Sequence, residues 1–184
     1  MGINNPFAGV LNALLDLSGA QAGQIKFPAT QNPSSDPNTI DDYIERKVWT
    51  PILWDSNGSQ AAPGATYGQQ LGIYLKCGRL VVIIGRVALT AKGTGGTGNS
   101  VGIAGLPVPA DSNVIGLTIA GGAQMGYYDN LATNWTEIHS LVSASASVMN
   151  LWGSKNSSST SQLVFGDLTN TSSFSFFGFY FANT

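Results

Sequence analysis

Residues 67–107 read YGQQLGIYLKCGRLVVIIGRVALTAKGTGGTGNSVGIAGLP, and three apolar runs divided by two turn signals make this the stretch that decides the fold. Leu71 to Leu75 is the first run. It leads into Cys77-Gly78, where Gly78 supplies the positive φ that a two-residue hairpin needs. Arg79 to Thr90 is the second. Lys92 to Ser100 holds no large apolar residue and reads as a flexible loop by composition. Val101, Ile103 and Leu106 alternate as a third strand, closed by Pro107 and Pro109. In the middle run Leu80, Val82 and Ile84 point to one side, and Val81, Ile83 and Val87 to the other. A strand with one wet face alternates apolar with polar. This one asks for cover on both faces. A small sandwich covers one face of each sheet, so the second face calls for a neighbouring subunit or for a long loop of the same chain.

The whole chain fits that picture. Its 184 residues suit one domain with an appendage. Hydrophobic residues make up 43%, enough for a core, while charged residues make up only 10% against a usual ~25%. Gly, Ser, Thr and Asn supply the polarity, which suits many turns and large interfaces. The formal charge of −2 provides no basic patch for nucleic acid. Cys77 is the single cysteine, so an intrachain disulfide or a thiolate metal cluster is excluded. No run approaches the ~18 apolar residues of a membrane span. The first apolar stretch is interrupted by Asn12 and Asp16 and lacks the basic start of a signal peptide. The expectation is synthesis in the cytoplasm, with exposure outside reached by assembly.

Taken in order, residues 1–20 hold the best helix candidate. Phe7, Val10, Leu11, Leu14 and Leu15 share one face at helical spacing, with Asn5 as cap, Pro6 at the first position and Gly19 as stop. Isolated helices shorter than ~12–15 residues are marginal, so that face needs a partner. Residues 21–47 read as an extended stalk and neck: Pro28, Pro33 and Pro37 recur among polar residues, and five charges crowd into Asp41–Lys47, where Asp41 could start a helical turn. Residues 48–184 then form the β domain. Trp49 to Trp54 reads as a strand closed by a turn at Asp55–Gly58, and Val114 to Ile119 as a strand followed by a Gly121-Gly122 turn. Ala123 to Tyr128 places Tyr127 and Tyr128 on opposite faces. Trp135 to Leu141 and Ala144 to Leu151 pair as a hairpin, and the last strand, Ser173–Phe181, is aromatic on both faces. The expected fold is mainly β, an antiparallel sandwich or jelly-roll-like knob behind a short N-terminal helix and an extended stalk.

The spacing Tyr67-x-x-Gln70-x-Gly72-x-Tyr74-x-Lys76-x-Gly78, then Lys92-Gly93, then Val101-x-Ile103-x-Gly105-Leu106-Pro107, resembles the C-terminal knob domains of tailed-phage fibre proteins. Trp49-Thr50-Pro51-x-Leu53 matches how such knobs begin, and Gly23 to Tyr43 resembles the segment that precedes them. The resemblance covers residues 23–107. It implies a homotrimer on the virion surface, and the two-sided strand Leu80–Val87 and the aromatic terminal strand put Leu80, Val82, Ile83, Phe177 and Phe179 at the expected subunit interface. Phe7, Leu11, Leu14 and Leu15 would anchor the N-terminus to other virion proteins of capsid or tail. Only residues 21–47 are left for a shaft, which favours a head fibre or capsid decoration over a long tail fibre. The alternative is a tail-fibre receptor-binding module that adheres to a host-surface glycan. Sugars stack on exposed rings, and Tyr127, Tyr128, Trp135 and Trp152 are the candidates, with core packing the competing use of each.

Catalytic sets are thin. His139 is the single histidine, no Gly-x-Ser-x-Gly elbow occurs, and the carboxylates Asp55, Asp111, Asp129, Glu137 and Asp167 show no pairing along the sequence. Gly93–Gly98 lacks the Gly-Lys-Ser/Thr of a phosphate loop. The expectation is no enzyme, no cofactor and no metal. Anchor and knob should be separable, because the stalk has few side chains to transmit packing. A chain starting at Gly23 is therefore expected to fold and trimerise yet fail to sediment with particles that lack the protein, and Leu11→Asp with Leu14→Asp should mimic it. Equal co-sedimentation of truncated and full-length protein would move attachment to the knob.

Overall fold

Two strands that are neighbours in sequence form the opposite edges of one sheet. The computed structural model describes residues 43–183 apart from 58–60, 113–115, 117 and 157–158. Its strands are β1 Tyr43–Trp49, β2 Ile52–Asp55, β3 Thr66–Cys77, β4 Leu80–Ala91, β5 Val101–Ala104, β6 Ile119–Leu131, β7 Glu137–Ser143, β8 Val148–Ser154, β9 Ser161–Gln162 and β10 Leu168–Phe181. All pairs are antiparallel. The order is β1-β3-β4-β10-β6-β7-β8-β5-β2, with β9 on β8. Laid flat at ~4.8 Å per strand, the two edges of this path would stand about 38 Å apart. Thr50-Pro51 joins them, and three residue steps reach at most ~11 Å. The sheet therefore curls until its edges nearly meet, and the face turned inward becomes the core.

The mainly antiparallel expectation holds, with the two layers of a sandwich supplied by one continuous sheet. Alternation along the strands decides which residues enter. Val81, Ile83 and Val87 of β4 are buried, as are Phe174, Phe176 and Tyr180 of β10, Ile138 and Val142 of β7, and Met149 and Leu151 of β8. One inward row runs Trp49, Gly72, Gly85, Phe176, Met125 across five adjacent strands. The two large rings lie over the two glycines and meet each other, centroids 6.0 Å apart and tilted by 59°. A Cβ at Gly72 would fall inside the Trp49 indole, and one at Gly85 inside the Phe176 ring.

Polar groups close the curl. Tyr67 takes the Leu53 N–H at 3.0 Å, tying β3 to the far edge strand β2. Tyr180, fully buried, donates to the Val108 carbonyl at 2.7 Å and accepts the Val108 N–H at 3.3 Å. Burial drives both phenols above their ordinary pKa, against the opposing pull of those backbone contacts.

Several sequence expectations change. Tyr43–Lys47, read as neck with a helical turn, is strand β1 paired to β3, with a register shift between Ile44 and Lys47. The strand read through Trp49–Trp54 is broken at Thr50-Pro51, since Pro51 offers no N–H to a ladder. Gly121-Gly122 is not a turn: β6 runs straight through it. Gly121 is needed there because the Phe179 carbonyl and Tyr180 Cα occupy the space of a Cβ. The Gly/Thr loop is pinned. Thr94 N–H donates to Pro63 O, Gly166 N–H to Thr97 O and Asn99 Nδ2 to the buried Asp55 carboxylate. Lys92 Nζ donates to Leu168 O at 2.7 Å and Phe165 O at 3.3 Å. The hairpin turn at Gly78 is as expected, with φ +54°. The helix and anchor residues Phe7, Leu11, Leu14 and Leu15, and the stalk before Tyr43, lie outside the described residues.

Gly85→Val should destabilise the protein by about 1–3 kcal/mol through overpacking against Phe176, a fall in Tm of roughly 2–12 °C. An unchanged melting temperature would mean that the ring does not lie over Gly85.

Candidate interaction surface

The outward face of the same strands is apolar where a solvated sheet would be polar. Register defines its rows. Val48, Ile73, Ile84 and Phe177 stand side by side on β1, β3, β4 and β10. The next row toward the hairpin tip is Leu75, Val82, Phe179, and the last is Tyr43, Cys77, Leu80, Phe181. Val48 is 82% exposed, Phe177 57%, Phe179 54% and Ile84 48%. A groove of about 640 Å³ crosses this face, lined by Val48, Leu71, Ile73 and Ile84 and by the polar Arg46, Gln70 and Arg86. Beyond β10 the first row turns polar, continuing through Gln124, His139, Trp152 and Gln162.

Of the residues expected at a subunit interface, Leu80, Val82, Phe177 and Phe179 lie together on this outer face. Ile83 does not. It is 0% exposed on the inner side of β4, because adjacent residues of a strand point to opposite faces. Ile83→Asp would bury an unpaired charge in the chain's own core and prevent folding, so a test of assembly belongs to its outward neighbours. Ile73, Leu75, Ile84, Phe181 and Val48 belong to the outer patch and were missed. The period of two along Leu71–Leu75 and Phe177–Phe181 signals Ile73, Leu75 and Phe181, and Ile84 shares the side of Leu80 and Val82; Val48, just before the strand read from Trp49, carries no such signal.

The four rings read as glycan candidates do not gather. Trp135 and Tyr128 pack with the core, and Tyr128 donates to the Trp135 carbonyl at 3.2 Å. Tyr127 and Trp152 share the outer face but sit on β6 and β8, with β7 between them. Tyr127 is the exposed one. It stands in the row Leu71, Arg86, Ser175, Tyr127, donates to Asp129 at 3.0 Å and has the Arg86 guanidinium 5.9 Å from its ring centre. The Asp129 contact raises its phenol pKa above the ordinary value. The outer face thus has an apolar half toward the Gly78 hairpin and a polar half beginning at Arg86 and Tyr127.

The buried acids Asp167 and Asp111 are occupied as structural acceptors. Asp167 takes the Val164 N–H at 2.9 Å, Lys155 Nζ at 3.1 Å and the Thr133 hydroxyl. Lys155 lies 4.1 Å from the centre of the Trp135 ring. Arg79 pairs with the buried Asp111. Among the described residues no three His, Cys, Asp or Glu side chains come together as a metal site.

No family model matches the chain, and no curated protein does. Among solved structures, the crystal structure of the Dettilon tailspike protein matches with a TM-score of 0.55 and 14% identity, over 75% of this chain and 24% of that one. The likeness is one of fold: the curled antiparallel sheet recurs within part of a longer tailspike.

The Asp167 cluster generates a pH dependence. Burial pushes this carboxyl up, but the Thr133 hydroxyl, the Val164 N–H and Lys155 together outweigh burial and hold it below its ordinary pKa. In the unfolded chain it takes up a proton near pH ~4, while the folded chain resists until lower pH. Its contribution is therefore complete above that point and lost as pH falls through the folded value. Asp167→Asn should lower stability at pH 7 and flatten the loss as pH falls below about 4. Parallel denaturation curves for variant and wild type across that range would contradict the assignment.

Proposed function

We propose that this chain is a structural module of a bacteriophage virion, part of a homotrimeric fibre or tailspike that assembles in the host cytoplasm and ends on the particle surface. The outward apolar face carries this reading. A chain with only 10% charged residues that turns Phe177, Phe179, Ile84 and Val48 to the outside is built to be covered in a larger assembly. The motifs from Tyr67 to Pro107 and the recurrence of the sheet within a tailspike support a phage assembly in particular. The tailspike likeness also favours attachment at the tail over the head-fibre placement that chain length suggested. Residues 1–20, through Phe7, Leu11, Leu14 and Leu15, would join the module to other virion proteins. The role is one of building and binding, without catalysis or cofactor.

One observation supports a second role in host attachment. Tyr127, exposed beside Asp129 and Arg86, offers a ring face with hydrogen-bonding groups at its edge, as saccharide contacts require.

Gold-labelled antibodies raised against residues 43–184 and applied to purified particles test the main reading. Label at the tail, with three copies per appendage by quantitative mass spectrometry, is the expected result. Label over the capsid would return the module to a head fibre. Particles that carry neither label nor peptide would overturn the virion assignment.

A further inference from the structure

Resting on the reading of the chain as an assembly subunit, we propose that the occupant of the apolar outer face is another copy of this chain, and that the contact stops at the row of Leu71, Arg86, Ser175 and Tyr127. The first argument is chemical. The three rows from the Gly78 hairpin to Ile84 carry no charged side chain on β3, β4 or β10; Arg46 of the edge strand β1 lines the groove beside them, and Arg86 stands in the boundary row. A partner of different chemistry would be selected by charges or hydrogen-bonding groups, and this surface presents almost none. In a closed ring of three copies such a face is covered when every subunit turns it toward the shared axis.

The second argument is size. Nine large apolar residues on these four strands are at least a third exposed, from Leu80 at 36% to Val48 at 82%. Half of the ~150–250 Å² of each ring, and somewhat less for each aliphatic chain, gives on the order of 800 Å². That equals the ~800 Å² each partner contributes to a stable interface and exceeds the ~300–600 Å² patch of an ordinary monomer. The third is geometry. Cross-strand rows of Phe, Ile, Leu and Val form the kind of surface that packs against another sheet face at ~10 Å.

The boundary follows from the cost of burying charge. Arg86 is drawn to the Tyr127 ring, and Tyr127 to Asp129, in a polar group held on the surface by its own contacts. Covering it would desolvate a guanidinium and a carboxylate. Ser175 of β10 belongs to this polar row, so on the outer face the terminal strand changes from serine to phenylalanine where the contact begins.

Sedimentation of the full chain at micromolar concentration tests this with face-specific variants. Wild type should sediment as an oligomer. Phe177→Ser with Phe179→Ser should sediment as a monomer with unchanged far-ultraviolet circular dichroism, its self-association weakened about a hundredfold or more. Tyr127→Ser should assemble like wild type. If the double variant does not fold, Val48→Gln with Ile84→Gln carries the same test. A folded outer-face variant that still assembles, or a monomeric wild type, overturns the proposal. A chain that associates through this face yet is absent from phage particles would overturn the virion reading and leave this contact standing.

Discussion

A two-residue link between the edge strands governs this structure. Thr50-Pro51 must bring β1 to β2 although seven strands lie between them in the sheet order. Curling is the way a sheet of ~4.8 Å spacing can satisfy that reach. Curling then sorts every strand into an inside and an outside. The inside is small, so it is filled by rings laid over glycines, with Trp49 over Gly72 and Phe176 over Gly85. The outside is left open, and on β1, β3, β4 and β10 it is as apolar as the inside.

The fold's hydrogen bonds serve the same closure. Tyr67 reaches from β3 to Leu53 on the opposite edge, Tyr180 holds the segment after β5 through both polar groups of Val108, and Asp55 receives Asn99 from the Gly/Thr loop. The first two cross between parts of the sheet that the ladder itself does not join, and the third extends the end of the β2–β5 ladder. Buried polar groups are costly unless paired, and here the pairing is what draws the curled halves together. A monomer so closed has no further use for Phe177, Phe179 and Phe181, which is why their exposure on a central strand points outward to assembly.

Much of this was legible in the chain. The two-sided pattern of Leu80–Val87 and the aromatic terminal strand marked what became adjacent central strands, and Gly78 marked the hairpin. Which of the two apolar sets of β4 faces inward was not legible, because both are equally apolar; only the partner rows on β3 and β10 separate Ile83 from Val82. Gly121-Gly122 read as a turn because glycine's usual signal is conformational freedom, whereas here its lack of a side chain lets the Tyr180 backbone approach. The Lys92–Ser100 loop read as flexible from side chains that say nothing of its backbone hydrogen bonds. Trp135 and Tyr128 resembled ligand rings because aromaticity alone does not reveal which side of a curled sheet a ring occupies.

The central claim is that the apolar outer face is covered by another copy of the chain. Hydroxyl-radical footprinting of the full-length protein, read residue by residue by mass spectrometry, measures that cover directly. The account predicts that Phe177, Phe179 and Phe181 are protected in the native protein and become reactive on denaturation, while Tyr127 is reactive throughout. Native oxidation of the three phenylalanines as fast as Tyr127, at concentrations where the chain is assembled, would contradict it.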